Sequence, residues 1–406
     1  MQCKMYKVFR YRLFPTKRQV VTMLQVLDEC RWLYNYFLDQ RRNFWTEQKK
    51  SLSYYAQIKS IPELKKSRPN LVNIYSQILL DVAKRVDLAF KAFFRRIKTR
   101  SGKAGYPRFK STNRYDSFTY PQSGFKITNN GLKLSKIGTI KIKLHRPIEG
   151  KIKTCTVRRT ATGKWFVTFS CEVPTNPLPK SSKAIGIDVG LENFATLSNG
   201  EIIENPRFFK TDQKALAKAQ RKLSKQKKGT PEREKARKVV ARIYERISNR
   251  RHNFIHQVSR KIVNRFGIIC VEKLNIKDIQ SGNFRSINRS IADVAWGQFA
   301  RVLASKAEEA GRKFIAVDPR NTSQRCSQCG AIVRKDLSVR WYECPICGCH
   351  LHRDINASLN ILALGLQGLG TQSLEAQDGV AQITEKQNFF KTGLGATRLG
   401  YNPKSL

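Results

Sequence analysis

The sequence predicts a multidomain α+β protein. A small antiparallel β-barrel is interrupted by a helical insertion and followed by an α/β domain that carries an inserted cysteine module. Three observations predict this. Between residues 115 and 178, short alternating segments such as Thr139 to Leu144 and Trp165 to Val173 are separated by turn signals at Asn129-Asn130-Gly131, Glu149-Gly150 and Thr162-Gly163. Beyond a proline-rich linker, Pro174-Thr175-Asn176-Pro177-Leu178-Pro179, buried β-type runs alternate with helical patterns. Between residues 326 and 347 stand two Cys-x-x-Cys pairs.

The elements follow in order. Residues 5–14 read as a strand with Phe9, Tyr11 and Leu13 on one face and Arg10 and Arg12 on the other, and Pro15 stops it. Thr16 with Gln19 forms a capping box, after which Met23, Leu27, Cys30, Tyr34 and Phe37 recur at helical spacing. A second long helix carries Leu79, Val82, Val86, Phe90, Phe93 and Ile97 as its stripe. A polar, lysine-bearing connection is expected over 49–69, and a charged glycine loop over Thr99 to Lys103. The strand at 5–14 can complete the barrel formed from 111–178, which makes 16–110 a helical insertion.

In the α/β domain, Ala184 to Asp188 reads as a buried strand and Asn193 to Leu197 as another. Ser198-Asn199-Gly200 gives a tight hairpin turn to a return strand at Glu201 to Ile203. Two helices joined at Gly229-Thr230-Pro231 are expected over 211–265. Gly267 to Val271 reads as a third core strand, 291–311 as one helix and 313–317 as a strand, and Asp354 opens a helix through Leu364. From residue 367 onward, a glycine-, glutamine- and serine-rich sequence without sustained period predicts a flexible tail.

The charge narrows the partners. The 406 residues hold 77 Lys and Arg against 30 Asp and Glu, a formal net charge of +47. Such an excess attracts a polyanion by neutralising phosphates and releasing counterions. Residues 210–251 alone carry sixteen basic and four acidic side chains, which would repel one another without such a partner. No run of about 18 apolar residues and no apolar signal-peptide core is present, so nucleic acid is favoured over a membrane. Cys3, Cys30, Cys155, Cys171 and Cys270 are scattered as small hydrophobes, as expected of a reducing, cytoplasmic environment.

Three carboxylates stand at element edges: Asp188 in Gly186-Ile187-Asp188-Val189-Gly190, Glu272 after Ile268-Ile269-Cys270-Val271, and Asp354 in Arg353-Asp354-Ile355-Asn356-Ala357. Taken singly, they read as a turn acid, an exposed partner of Lys273 and an N-cap. Their order, with a hairpin and a helical stretch between the first two, is that of an RNase H-like nuclease core. There, carboxylates hold two Mg²⁺ ions ~4 Å apart that activate a water and stabilise the leaving oxygen of a phosphodiester. Cys326, Cys329, Cys344 and Cys347 fit a closed four-thiolate zinc site. Cys349, His350 and His352 are alternative fourth ligands, but Cys347 keeps the symmetric spacing and is preferred.

With these residues in place the chain resembles the TnpB family, transposon-encoded relatives of the type V CRISPR effector nucleases. The likeness runs through Tyr11-Arg12-Leu13-Phe14-Pro15-Thr16, Gly105-Tyr106-Pro107-Arg108-Phe109-Lys110, the Gly186 to Gly190 motif and Val271-Glu272-Lys273-Leu274. It continues through Thr322-Ser323-Gln324-Arg325-Cys326-Ser327-Gln328-Cys329-Gly330 and Arg353 to Ala357, and covers roughly residues 4 to 365. The resemblance implies a wedge-like β-barrel over 1–15 and 111–178 and a helical recognition lobe over 16–110. It implies a RuvC-like nuclease domain over 179–321 and 351–366, with a basic helical insertion at 211–265 and a zinc ribbon at 322–350. Residues 367–406 remain as the flexible C-terminal tail. It further implies a guide RNA transcribed from the transposon end, a double-stranded DNA target beside a short motif, and a single Mg²⁺-dependent site of Asp188, Glu272 and Asp354. One departure is visible: the family commonly reads His-Asp-Arg-Asp where this chain has Leu351-His352-Arg353-Asp354. Two alternatives to an RNA-guided endonuclease are a non-cleaving RNA-guided repressor, which an inactive triad would require, and a transposase proper. The latter is disfavoured because strand transfer needs a further function, and no His-x-His or tyrosine nucleophile motif is assigned.

Overall fold

A computed structural model describes residues 4–99, 104–336 and 339–369, which fall into two compact units divided between Pro174 and Thr175. The expected loop at 99–103 lies outside the described residues except for Thr99, and the expected tail does so from residue 370. No helix among the described residues is long and apolar enough to cross a membrane.

The first unit is built on a seven-stranded antiparallel sheet. Its strands are β1 (Lys4–Phe14), β2 (Ser117–Tyr120), β3 (Phe125–Thr128), β4 (Gly131–Leu134), β5 (Gly138–Lys143), β6 (Lys151–Arg159) and β7 (Trp165–Pro174), in the order β2-β6-β7-β1-β5-β4-β3. The N-terminal strand is therefore central, pairing with β7 from Lys4↔Pro174 to Leu13↔Trp165 and with β5 at Arg12↔Lys143. Alternation places Phe9, Tyr11 and Leu13 in the core with Phe118, Val167 and Phe169. The sheet is nearly closed, as a barrel requires. Gly131 takes a φ of 140° in the β3–β4 hairpin, and a Cβ there would lie 2.3 Å from the Ile140 carbonyl oxygen.

The helical insertion contains α1 (Lys17–Gln48), α2 (Tyr54–Lys59), α3 (Ile61–Ser67) and α4 (Ser76–Lys98). The capping box forms: the Gln19 N–H donates to Thr16 Oγ1 at 3.3 Å, and the Thr16 N–H to Gln19 Oε1 at 3.0 Å. The stretch expected as a polar connection is instead mostly helical. It buries Ile61 and Leu64, while Gln57 donates to the Phe37 carbonyl at 2.9 Å and accepts from Arg41 at 2.8 Å. A few buried anchors spaced irregularly over short helices leave no long period to read. The apolar stripe of α4 is buried through Phe90; Ile97 beyond it is exposed.

The second unit centres on a five-stranded sheet of β8 (Ala184–Asp188), β9 (Asn193–Leu197), β10 (Ile202–Glu204), β11 (Ile268–Glu272) and β12 (Lys313–Val317). The order is β10-β9-β8-β11-β12, with β8, β11 and β12 parallel and β9 antiparallel to both of its neighbours, β8 and β10. This mixed order is the RNase H-like arrangement. The basic pair α5 (Phe208–Ser224) and α6 (Pro231–Arg265) follows β10, joined through Gly229 at a φ of 90° and capped by Thr230. After β11 come α7 (Ile276–Ser281), α8 (Arg285–Val294) and α9 (Trp296–Glu309). The single helix expected over 291–311 is thus two helices, broken at Ala295, whose φ of 58° is left-handed and ends α8. Apolar residues on both sides of that break sustain the period, which hides it from the sequence.

A two-stranded ribbon, β13 (Trp341–Glu343) and β14 (His350–His352), precedes α10 (Arg353–Gln367), which lies on the sheet. Two glycines permit that packing. A Cβ on Gly186 of β8 would lie 2.0 Å from the Ser358 carbonyl oxygen, and one on Gly365 of α10 would lie 2.2 Å from Cys270 Sγ of β11. The helix therefore crosses the β8–β11 pair at van der Waals range.

Candidate active site

The three acids arrive at one edge of the second unit by different routes. Asp188 and Glu272 each end a parallel strand one step beyond the Ile187↔Val271 register pair. Asp354 enters from α10, in that helix's first turn, where a carboxylate is favoured by the helix dipole. All three are partly buried. The structure brings them close enough to repel: the Asp188 carboxyl is pushed well above the usual carboxylate range by desolvation, then by the charges of Glu272 and Asp354. Arg353 and the Val189 N–H oppose that shift. Glu272 is also raised by burial, opposed by a hydrogen bond from Thr322 Oγ1 to its Oε1 at 2.5 Å. The charges of Glu272 and Asp354 thus act on a desolvated Asp188, an arrangement in which a nearby cation would favour the ionised form.

The cysteines form a second centre. The Sγ atoms of Cys326, Cys329, Cys344 and Cys347 all lie within 4.8 Å of one another, with Cys326–Cys347 and Cys329–Cys344 each at 3.6 Å. Tetrahedral thiolates at ~2.3 Å from a zinc ion would stand ~3.8 Å apart, so the set is compatible with structural zinc. Two matching turns build it. In each, the first cysteine's carbonyl accepts from a glycine N–H at 3.0 Å, Gly330 for Cys326 and Gly348 for Cys344, and both glycines hold positive φ. The backbone N–H of Cys347, then that of Ile346, hydrogen-bonds the Cys344 sulfur and draws its pKa down to about 6, favouring thiolate. Cys349 is buried beside this group but outside it, its carbonyl accepting from the Cys344 N–H at 2.9 Å.

The histidines near Asp354 have other work. His350-Leu351-His352 does have His-x-His spacing, so the sequence reading that assigned no such motif is corrected. His350 lies flat on Trp341, ring centroids 5.1 Å apart at 8°. His352 is the N-cap of α10, its Nδ1 accepting from the Asp354 N–H at 3.3 Å. The residue standing where the family commonly has an acid therefore secures the helix that carries Asp354.

The sequence reading missed the polar clamp beneath these centres. Asn356 Oδ1 accepts from the Ser327 N–H at 2.9 Å, and its Nδ2 donates to the Arg325 carbonyl at 2.8 Å. Asn360 Nδ2 donates to the carbonyls of Thr322 and Arg325 at 2.8 and 2.7 Å. Asn356, Ser358 and Asn360 are buried polar positions in a leucine-rich helix, a pattern the sequence displays but only packing interprets. In the basic pair, some charge is spent internally: buried Asp212 pairs with Arg246 and Arg250, and Asp293 with Arg251 at 2.6 Å. Lys214, Lys218, Arg221, Lys222, Lys225 and Lys228 remain exposed.

Comparison with known proteins gives the chain its relatives. The OrfB_IS605 family model, described as "Probable transposase", matches residues 168–281, and the "Cas12f1-like, TNB domain" model matches 296–361. A "Helix-turn-helix domain" model matches 1–50, which over its described residues is β1 followed by the single helix α1. A protein of Streptomyces pristinaespiralis named as an RNA-guided DNA endonuclease is 34% identical over 96% of this chain and 98% of its own. InsQ of Escherichia coli (strain K12), similarly named, is 30% identical over 89% and 93%. Among solved structures, a Cas12f1–sgRNA–target DNA complex superposes with a TM-score of 0.55 at 15% identity, covering 86% of this chain and 83% of that one, a likeness of fold. Residues, fold and relatives agree, and the chain belongs to the TnpB family.

Proposed function

We propose that this chain is an RNA-guided, Mg²⁺-dependent DNA endonuclease encoded by a transposon, in which Asp188, Glu272 and Asp354 form the single cutting site. The observation that carries the reading is the convergence of Asp188 and Glu272, both desolvated, with Asp354 at one edge of the β8–β11–α10 layer. The relatives at 34% and 30% identity carry the same activity in their names. Bound Mg²⁺ would supply the charge that activates a water and stabilises the leaving oxygen. The chain's own residues hold the acids in place: β8 and β11 set two of them in register, His352 caps the helix bearing the third, and Arg353 tempers their repulsion. Cys326, Cys329, Cys344 and Cys347 hold a structural zinc. The exposed lysines of α5 and α6 hold the guide RNA backbone, while base pairing reads the double-stranded target. The retained triad favours cutting over a repressor.

The test uses the protein copurified with its RNA and a plasmid matching the guide portion of that RNA. Asp188→Ala, Glu272→Ala or Asp354→Ala should each slow cleavage by about a thousandfold or more while target binding by gel shift persists. Near-wild-type cutting by Asp188→Ala removes the assignment. Wild-type binding without cutting in Mg²⁺ or Mn²⁺ turns it into a repressor.

A further inference from the structure

We infer that Thr322 is a positioning residue for Glu272, and that through it the start of the cysteine module holds one carboxylate of the cation site in a set rotation. The inference rests on the proposed endonuclease reading and names a residue that reading does not use.

Thr322 is 4% exposed and meets three parts of the second unit at once. Its hydroxyl lies 2.5 Å from Glu272 Oε1 and 3.1 Å from the Pro319 carbonyl oxygen. A hydroxyl has one proton, and the shorter, charged acceptor takes it; an O–H···O⁻ bond of this length belongs to the strong, charge-assisted class. The Thr322 carbonyl accepts from Asn360 Nδ2 at 2.8 Å, so α10 fixes where that hydroxyl stands. Four residues later the chain reaches Cys326, and the intervening Arg325 carbonyl is held by both Asn356 and Asn360.

The consequence concerns rotation. Glu272 sits at the end of β11, and its carboxylate would otherwise turn about its terminal bond, a broad two-fold torsion. Occupying Oε1 from one fixed donor selects one setting and leaves Oε2 as the oxygen not engaged by Thr322. Outer partners that orient carboxylates in this way typically govern affinity for the ion, and their loss costs about 10–100-fold in affinity or activity. Thr322 is placed by buried amides on α10, so the setting of Glu272 depends on the same helix that carries Asp354.

The test compares Thr322→Val, which keeps the shape and removes the donor, with Thr322→Ser, which keeps the donor. Mn²⁺ uptake by the RNA-bound protein is followed by electron paramagnetic resonance, and the Mg²⁺ dependence of plasmid cutting is measured alongside. Thr322→Val should need about tenfold more of either ion for half-saturation. Its zinc content and target binding should stay at wild-type levels, and Thr322→Ser should stay within about twofold of wild type on every measure. Wild-type Mn²⁺ affinity in folded Thr322→Val overturns the inference, as does a folded, zinc-replete Thr322→Ser that binds Mn²⁺ about tenfold more weakly. If Thr322→Val does not fold, Thr322→Ala, which also removes the donor, decides on the same Mn²⁺ measure against Thr322→Ser. A wild-type protein that never cuts would instead sink the endonuclease reading, while Mn²⁺ uptake would still test Thr322.

Discussion

Asp188 and Glu272 end adjacent parallel strands at the same level, one residue past the Ile187↔Val271 pair, so their carboxylates emerge side by side. Parallel pairing in register is what makes two acids 84 positions apart in the chain into neighbours. Desolvation and then the charge of Glu272 push the Asp188 carboxyl up.

That repulsion has a consequence for stability. An acid whose pKa rises on folding keeps protons that the unfolded chain has released, so metal-free protein loses stability as pH climbs from ~3.9 through the raised value. Asp188→Asn removes the burden. In zinc-replete protein without Mg²⁺ or Mn²⁺, and without chelator, its unfolding temperature should exceed that of wild type by a margin that widens as pH rises over this window. Adding Mg²⁺ at neutral pH should shrink or reverse the margin. Scanning calorimetry at several pH values checks it, and a margin that narrows with pH would contradict the site's electrostatics.

The cysteine centre predicts selective metal loss. Cys344→Ser should release zinc and loosen the module, since a closed thiolate site contributes directly to folding. Cys349→Ser should retain one zinc per chain, because Cys349 stands outside the four-sulfur group. Metal analysis of both variants distinguishes them, and retention by Cys344→Ser together with loss from Cys349→Ser would reassign the ligand.

Gly186→Ala tests how tightly α10 seats. The added methyl would meet the Ser358 carbonyl oxygen at 2.0 Å, a Cβ against backbone, which no rotamer relieves. Overpacking of this kind costs about 1–3 kcal/mol. The variant should unfold at lower temperature and cut more slowly, because the helix bearing Asp354 must shift. Unchanged unfolding and cutting would show that the helix has slack.

The basic pair predicts a salt signature. Lys214, Lys218 and Lys222 recur every four residues along α5 and are exposed. If they contact RNA phosphates, changing all three to Gln should weaken binding of the copurifying RNA. It should also flatten the slope of log affinity against log salt by about 2–3 units. An unchanged slope would place the RNA elsewhere.

Local patterns carried much of this protein. The two-residue period of β1, the capping box at Thr16, the Gly229-Thr230-Pro231 break and the paired Cys-x-x-Cys turns are each written within about ten residues, where covalent geometry and short-range hydrogen bonds decide the outcome. The positions of Asp188, Glu272 and Asp354 at element edges were legible for the same reason. The helices of 54–67 and the break at Ala295 were not, since short or kinked segments depend on what they pack against.

By itself, then, the sequence determined most of the strands and long helices, the edge positions of the three acids, the four clustered thiols and the excess of positive charge. Only the tertiary structure decided that Gly186 is the seat of α10, that His352 caps the helix of Asp354, and that Thr322 reaches Glu272 across 50 residues of chain. Contacts of that kind join positions whose separation carries no period. They exist only once the β8–β11 sheet is covered by α10 and its buried amides find the carbonyls of the cysteine module.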